Sequence, residues 1–194
     1  MGRDYPELFI LRHGQTEWNR KRRMQGHMNS PLTELGREQA AMQNRLLASA
    51  VLPAETVFHS STAGRARETA AIAFAGLARK VHFDDRLQEV SVGECEGLLF
   101  EECNAIWPDL FDAHPDMRWT FHAPGGESFD RFSGRLADWL AEQSHPMVVV
   151  AHGIVSHVLR GLVLGLDQEQ ILALPGGQGV VYHVKDGVHR RLGA

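Results

Sequence analysis

The feature that most constrains this chain is a pair of short apolar runs that end in the same dipeptide. Leu8-Phe9-Ile10-Leu11 leads through Arg12 into His13-Gly14, and Pro146-Met147-Val148-Val149-Val150-Ala151 leads into His152-Gly153. Apolar runs of this length without alternation are what strands buried on both faces require. Two such strands demand a sheet covered on both sides, and the segments between them supply the cover. Thr33 precedes a segment, 34–50, whose Leu35, Ala40, Met42, Leu46 and Leu47 predict an amphipathic helix capped by Thr33 with Glu34 in its first turn. Residues 56–59 read as a second strand, and Ser60-Ser61-Thr62 offer caps for an Ala-rich helix over about 63–79. A short strand at 81–83, a loop over 84–97, and a helix on Phe129, Phe132, Leu136, Trp139 and Leu140 follow. After the 146–151 strand come a helix at 154–164 and a strand at 179–184, with Asp186-Gly187 as the hairpin turn into a last strand.

This alternation predicts an α/β fold: a three-layer α/β/α sandwich whose mostly parallel sheet carries an antiparallel edge strand. At 194 residues the chain is expected to form one domain, 1–194, with a lid or specificity insert at about 98–126. There Phe100, Trp107, Phe111, Trp119 and Phe121 mix with acids, histidines and prolines. In sheets of this kind ligands bind outside the carboxyl ends of the strands. His13, His152 and Arg65, which follows the second strand, therefore converge on one place before any family is considered.

Charge narrows the function classes. A net charge of −4 argues against nucleic acid as a partner. The one basic run, Arg20-Lys21-Arg22-Arg23, reads as a solvated stretch at Arg20 and Lys21, or as added positive potential beside an anion site. No apolar run is long enough for a bilayer, and the start MGRDYPELFILRHG carries no signal core, so a cytoplasmic protein without a membrane partner is expected. Cys95 and Cys103 are then expected as two free thiols, a disulfide between them being the alternative. The 11 histidines lack metal-ligand spacing, so neither metal nor cofactor is expected. A homo-oligomer stays open.

The segment Leu11-Arg12-His13-Gly14-Gln15-Thr16-Glu17-Trp18-Asn19 resembles the signature of the histidine phosphatase superfamily, also called phosphoglycerate mutase-like. Gln25-Gly26 with 30–36, Ser60-Ser61 through Arg65-Ala66-Arg67-Glu68-Thr69-Ala70, and Val150-Ala151-His152-Gly153 resemble its later blocks in the right order. So do Arg86-Leu87-Gln88-Glu89 and Gly125-Gly126-Glu127-Ser128. One Arg-His-Gly tripeptide is weak evidence; ordered blocks over essentially the whole chain are strong.

The resemblance implies a phosphohydrolase acting on a small phosphorylated metabolite, with His13 as a transiently phosphorylated nucleophile. A histidine suits that role when one ring nitrogen is held and the other keeps its lone pair. Arg12 and Arg65 suit the equatorial phosphate oxygens, because a guanidinium fork binds them bidentately. By resemblance His152 completes the phosphate pocket, Asn19 is a further polar contact, and Glu89 is the proton donor and later the base for water. Gln25 and Gly26 touch the rest of the substrate or form a plain turn. Glu127 either lines the pocket or, as we prefer, sits at the following helix start.

The family's mutases carry a longer basic insert that retains a bisphosphate. Between Glu89 and Gly125 this chain has Arg118 as its lone Arg or Lys, so hydrolysis is expected over a phosphoglycerate mutase activity, with a non-catalytic phospho-ligand-binding protein as the third alternative. Asn29 stands where many relatives carry aspartate.

Overall fold

A computed structural model describes residues 5–114 and 116–193; the polar start at 1–4 lies outside the described residues. Six strands form one sheet: β1 (Leu8–Arg12), β2 (Val57–Ser61), β3 (Val81–Asp84), β4 (Met147–Ala151), β5 (Val181–Lys185) and β6 (Val188–Leu192). Their order is β3-β2-β4-β1-β5-β6. The first four of these are parallel; β5 pairs antiparallel with β1 and β6 antiparallel with β5, so a hairpin rather than a single strand forms the antiparallel edge. Asp186, at φ 49°, and Gly187, at φ 73°, turn the chain between them.

Both faces of the central strands are buried, which accounts for their uninterrupted apolar sequence. Leu8, Ile10, Met147 and Val149 point into one core, beneath α6 (Phe129–Ala141) and α7 (Gly153–Leu164). Phe9, Leu11, Val148 and Val150 point into the other, beneath α2 (Glu34–Ser49) and α3 (Gly64–Ala73). Each such side chain contributes about 1.5–3 kcal/mol on leaving water, which fixes β1 and β4 side by side. None of the described helices is long and apolar enough to cross a membrane.

The expected helices form, with informative departures. In α2 the inward face is Gly36, Ala40, Gln43 and Leu47, while Leu35 and Met42 are exposed. The reason is a backbone contact: a Cβ on Gly14 would lie 2.1 Å from the Gly36 carbonyl oxygen, and a Cβ on Gly36 2.1 Å from that of Gln15. Gln43 then reaches inward, donating from Nε2 to the carbonyls of Arg12 (2.9 Å) and Val180 (3.0 Å). The small and polar side of α2 therefore faces in, and two of the large apolar residues face out.

The helix expected over 63–79 stops at Ala73, because the chain enters a left-handed turn at Gly76 (φ 74°). Ser60 and Ser61 belong to β2, and no side chain of the Ser60–Thr62 triplet caps α3 in the ordinary way. Two short helices were not expected. In α1 (Glu17–Arg20) and α8 (Gln168–Leu172), Thr16 with Asn19 and Asp167 with Gln170 form reciprocal caps.

Residues 98–126 fold into α4 (Phe100–Ile106), α5 (Pro108–Ala113) and a 3₁₀ turn at Met117–Phe121. Phe100, Phe111 and Trp119 pack ring against ring there. The expectation of free thiols is overturned, since Cys95 and Cys103 form a disulfide. The turn at Gly93–Cys95 and α4 bring their Cα atoms to 5.8 Å, within the ordinary span of the bond, and bury both side chains.

The Gly14–Gly36 contact sets two effects against each other. Gly36→Ala gains about 1 kcal/mol of helix propensity but forces a methyl into the Gln15 carbonyl, at about 1–3 kcal/mol. With backbone on both sides of the clash, we expect Gly36→Ala to lower the denaturant midpoint at unchanged m-value. A higher midpoint would show that the two segments can separate without loss.

Candidate active site

The parallel register of β1 and β4 sets Arg12 opposite Ala151, and the His13 N–H extends the ladder by donating to the Ala151 carbonyl at 3.0 Å. The residues after the two strands are thereby neighbours. The rings of His13 and His152 meet edge to face, with centroids 5.2 Å apart. His13 Nδ1 lies 2.7 Å from the Gly14 carbonyl oxygen. A carbonyl can only accept, so Nδ1 carries the proton and Nε2 is left with its lone pair. Gly14 is fixed in turn: its N–H donates to Thr69 Oγ1 (3.1 Å), whose hydroxyl donates to the Arg65 carbonyl (2.8 Å).

Arg65 enters from the first turn of α3 and is 1% exposed. Nη1 donates to the Met28 carbonyl at 2.6 Å and Nη2 to that of Gly26 at 2.8 Å. Asn29 Oδ1 accepts from the Arg65 N–H at 2.9 Å, so this residue caps α3 from a distant loop. An aspartate could accept the same bond, which makes the Asn29 departure geometrically conservative. Asn19 Oδ1 accepts from the Thr16 N–H and from Gln178 Nε2, both at 3.2 Å.

Glu89 approaches from the opposite side. Its Oε1 accepts from the Val90 N–H (3.1 Å) and its Oε2 from the Ile154 N–H (3.3 Å), in the first turn of α7. The segment behind it is held by Arg135 of α6, which donates to the carbonyls of Glu89 (Nη2, 3.1 Å) and Arg86. Glu127 grips the same guanidinium with both oxygens, at 2.9 and 3.0 Å. Glu127 therefore neither lines the cavity nor serves mainly as a helix-start acid; it is the buried partner of Arg135.

These groups enclose a cavity of about 190 Å³. Arg12, His13, Asn19, Gln25, Gly26, Arg65 and Glu89 all line it, as do Trp119 and Thr120 from the 98–126 segment. Arg23 is the member of the basic run that reaches it, whereas Arg20 pairs with Glu17 on the surface. His152, fully buried, stands against His13 rather than on the wall, with Nε2 2.8 Å from Ser61 Oγ. Arg135 and Gln178 carry no mark in the sequence, and Ser61, expected there as a helix cap within a family block, instead meets His152. Gln178, which also donates to the His13 carbonyl at 3.2 Å, is marked only indirectly, by the glycines around it, Gly176, Gly177 and Gly179.

The electrostatics are those of a buried, positively charged site. Burial lowers Arg12, against the pull of Glu89, and lowers Arg65 to about 10. Burial, then Arg65 and Arg12, hold His13 well below the usual histidine range; burial and Arg65 lead the same effect at His152. Nε of Arg12, Nε of Arg65 and Nδ1 of His152 are buried donors or acceptors without a partner among the described residues. No cluster of three His, Cys, Asp or Glu able to hold a metal occurs among those residues.

Known proteins resemble this chain over most of its length. The family model described as "Histidine phosphatase superfamily (branch 1)" matches residues 8–188. A glucosyl-3-phosphoglycerate phosphatase of Mycolicibacterium vanbaalenii is 35% identical over 95% of this chain and 85% of its own. A probable phosphoglycerate mutase of Salmonella paratyphi C is 36% identical over 82% and 75%. Among solved structures, a mycobacterial glucosyl-3-phosphoglycerate phosphatase in complex with VO3 superposes with a TM-score of 0.79 at 31% identity, covering 96% of each chain.

Neutral buried histidines carry a cost in acid. His13, His152, His59 and His157 are all lowered, the last two to about 4 and first of all by burial. Above about pH 6.5 both folded and unfolded chains keep them neutral and nothing is lost. Below it the unfolded chain binds protons that the folded chain refuses, so stability falls down to the folded pKa. The melting temperature should decline between about pH 6.5 and 5, ahead of the carboxylate range. A flat melting temperature across that window would refute the neutral assignment.

Proposed function

Because this chain belongs to the histidine phosphatase superfamily, we propose that it is a phosphohydrolase that cleaves a small-molecule phosphate monoester through a phosphohistidine on His13. The observation that carries this reading is the hydrogen bond from His13 Nδ1 to the Gly14 carbonyl, which leaves Nε2 free in a cavity it shares with Arg12, Arg65 and Glu89. Phosphatases among its relatives support hydrolysis.

The lone pair on Nε2 attacks phosphorus as the ester P–O bond breaks. Arg12 and Arg65 take the charge of the equatorial oxygens with rigid donors already in place. His152, kept neutral and packed against His13, has its Nε2 on the Ser61 hydroxyl and its Nδ1 unpaired; with the proton on Nδ1 it serves a phosphate oxygen carried by His13. Glu89 gives a proton to the departing alkoxide. As a carboxylate it then takes a proton from water, whose oxygen attacks phosphorus while the P–N bond breaks, returning His13 to its starting form and releasing inorganic phosphate. The reading assigns charge neutralisation to the two arginines and asks for no metal or cofactor.

Hydrolysis is preferred to a mutase reaction for a local reason. The only Arg or Lys in 90–124, Arg118, is paired at the surface with Asp116. The cap side of the cavity thus offers Trp119 and Thr120, not the cations that would retain a bisphosphate.

Two experiments address the reading. Acid-quenched enzyme should carry an acid-labile, base-stable phosphoryl group that disappears in His13→Ala, together with most of a rate enhancement on the order of 10⁶-fold or more. Wild-type turnover by His13→Ala would end the proposal. Glu89→Gln should slow single-turnover phosphorylation by an alkyl phosphate about 10²- to 10⁴-fold, and by p-nitrophenyl phosphate far less, since p-nitrophenolate leaves without a proton. Equal single-turnover rates for wild type and Glu89→Gln on the alkyl ester would move the acid role elsewhere.

A further inference from the structure

A second chamber, of about 460 Å³, adjoins the phosphate cavity and shares Arg12, Glu89 and Ile154 with it. Its size is that of an ordinary small-molecule site. Glu89 lines both spaces, but His13 lines only the first. In-line displacement puts the leaving oxygen opposite the nucleophile and beside the acid. The chamber beyond Glu89 is therefore where the alcohol attached to that oxygen can extend. Gly153 leaves the passage open: a Cβ there would stand 3.4 Å from the Arg12 guanidinium carbon and 3.6 Å from Glu89 Oε2.

The far wall is built rather than loose. Arg160, fully buried and lying over the Tyr182 ring, donates from Nη2 to the Pro175 carbonyl at 2.8 Å. The Tyr182 hydroxyl donates to the Gly176 carbonyl at 2.9 Å. His157 lines the chamber, is 5% exposed, and its Nδ1 has no partner among the described residues. Gly176 keeps its other edge clear, since a Cβ there would sit 3.1 Å from Nε2. Ser156 lines the chamber beside it, and Ile154 and Leu174 supply apolar surface.

Resting on the phosphatase reading above, we infer that this chamber holds the alcohol half of the substrate and that His157 reads a hydroxyl on it, so the ester is a sugar or polyol monophosphate. A neutral imidazole can donate and accept, which suits a hydroxyl. Mixed apolar and hydrogen-bonding walls suit the two faces of a polyol. A second anion would find no cation of its own, because Arg12, the one Arg or Lys lining the chamber, also lines the phosphate cavity and is engaged there, and a wholly apolar alcohol would leave the His157 ring unpaired as it is now.

The test compares kcat/KM for a panel of sugar and polyol monophosphates with that for butyl phosphate, using the full chain. Wild type should prefer at least one polyol ester. His157→Leu should cut that preference about tenfold, chiefly through KM, as expected for a lost hydrogen bond. Gly176→Ala, which places a methyl over Nε2, should do the same without removing the ring. Equal losses on both esters in both variants would make His157 structural and overturn the inference. So would a wild type that forms phosphohistidine yet prefers butyl phosphate, in which case the phosphatase reading survives alone. A wild type that forms no phosphohistidine from any ester removes both.

Discussion

Everything at the site hangs on the pairing of β1 with β4. Because Arg12 stands opposite Ala151 and the ladder runs one bond further, from the His13 N–H to the Ala151 carbonyl, two distant His-Gly dipeptides become adjacent at one edge of the sheet. A slip of one residue would reverse the faces of Leu8, Phe9, Ile10 and Leu11 and place Arg12 and His13 on the wrong sides. Both faces being buried, the cost of that slip falls on packing, since each core would receive side chains shaped for the other, and on Arg12 and His13, which would leave the site. The hydrophobic sheet thus does more than support the site; its register sets the distance between the two histidines.

The second constraint is electrostatic. Arg12 and Arg65 are buried close enough for each to bear on the other's titration and on His13, and Glu89 is the carboxylate that offsets them. Such a concentration of positive charge in a shielded place costs stability. The fold tolerates it by tying Arg65 to backbone carbonyls at Gly26 and Met28 and by keeping the histidines neutral. An anion entering the cavity meets donors that are already desolvated and already aimed, which is the condition under which electrostatic stabilisation is largest.

Much of this was legible from the residues. The apolar runs located β1 and β4, and the strand-end rule brought His13, His152 and Arg65 together before any contact was known. What escaped falls into two kinds. Gln43, Arg135 and Gln178 act through side-chain bonds to backbone carbonyls of other elements, and a polar residue on a helix or in a glycine-rich loop gives no local sign of such a bond. The inward face of α2 and the early end of α3 were decided by close backbone contact at Gly14–Gly36 and by the left-handed turn at Gly76. Hydrophobic periodicity cannot register either. Asn29 and Cys95–Cys103 belong with the first kind, since their partners come from segments that only the fold brings near.

The strand order has a bearing on how the molecule comes into being. β1 is the first strand of this sheet in chain order, yet its neighbours on either side are β4 and β5, with Leu8 paired to Met147 and to Val184. Until β4 and β5 have been synthesised, the apolar Leu8–Leu11 run lacks its partners along both edges. Such long-range closure is slow and leaves a hydrophobic strand exposed in the meantime. His13 is therefore made well before the strands that position it, and its place beside His152 is set only when β4 and β5 have joined β1.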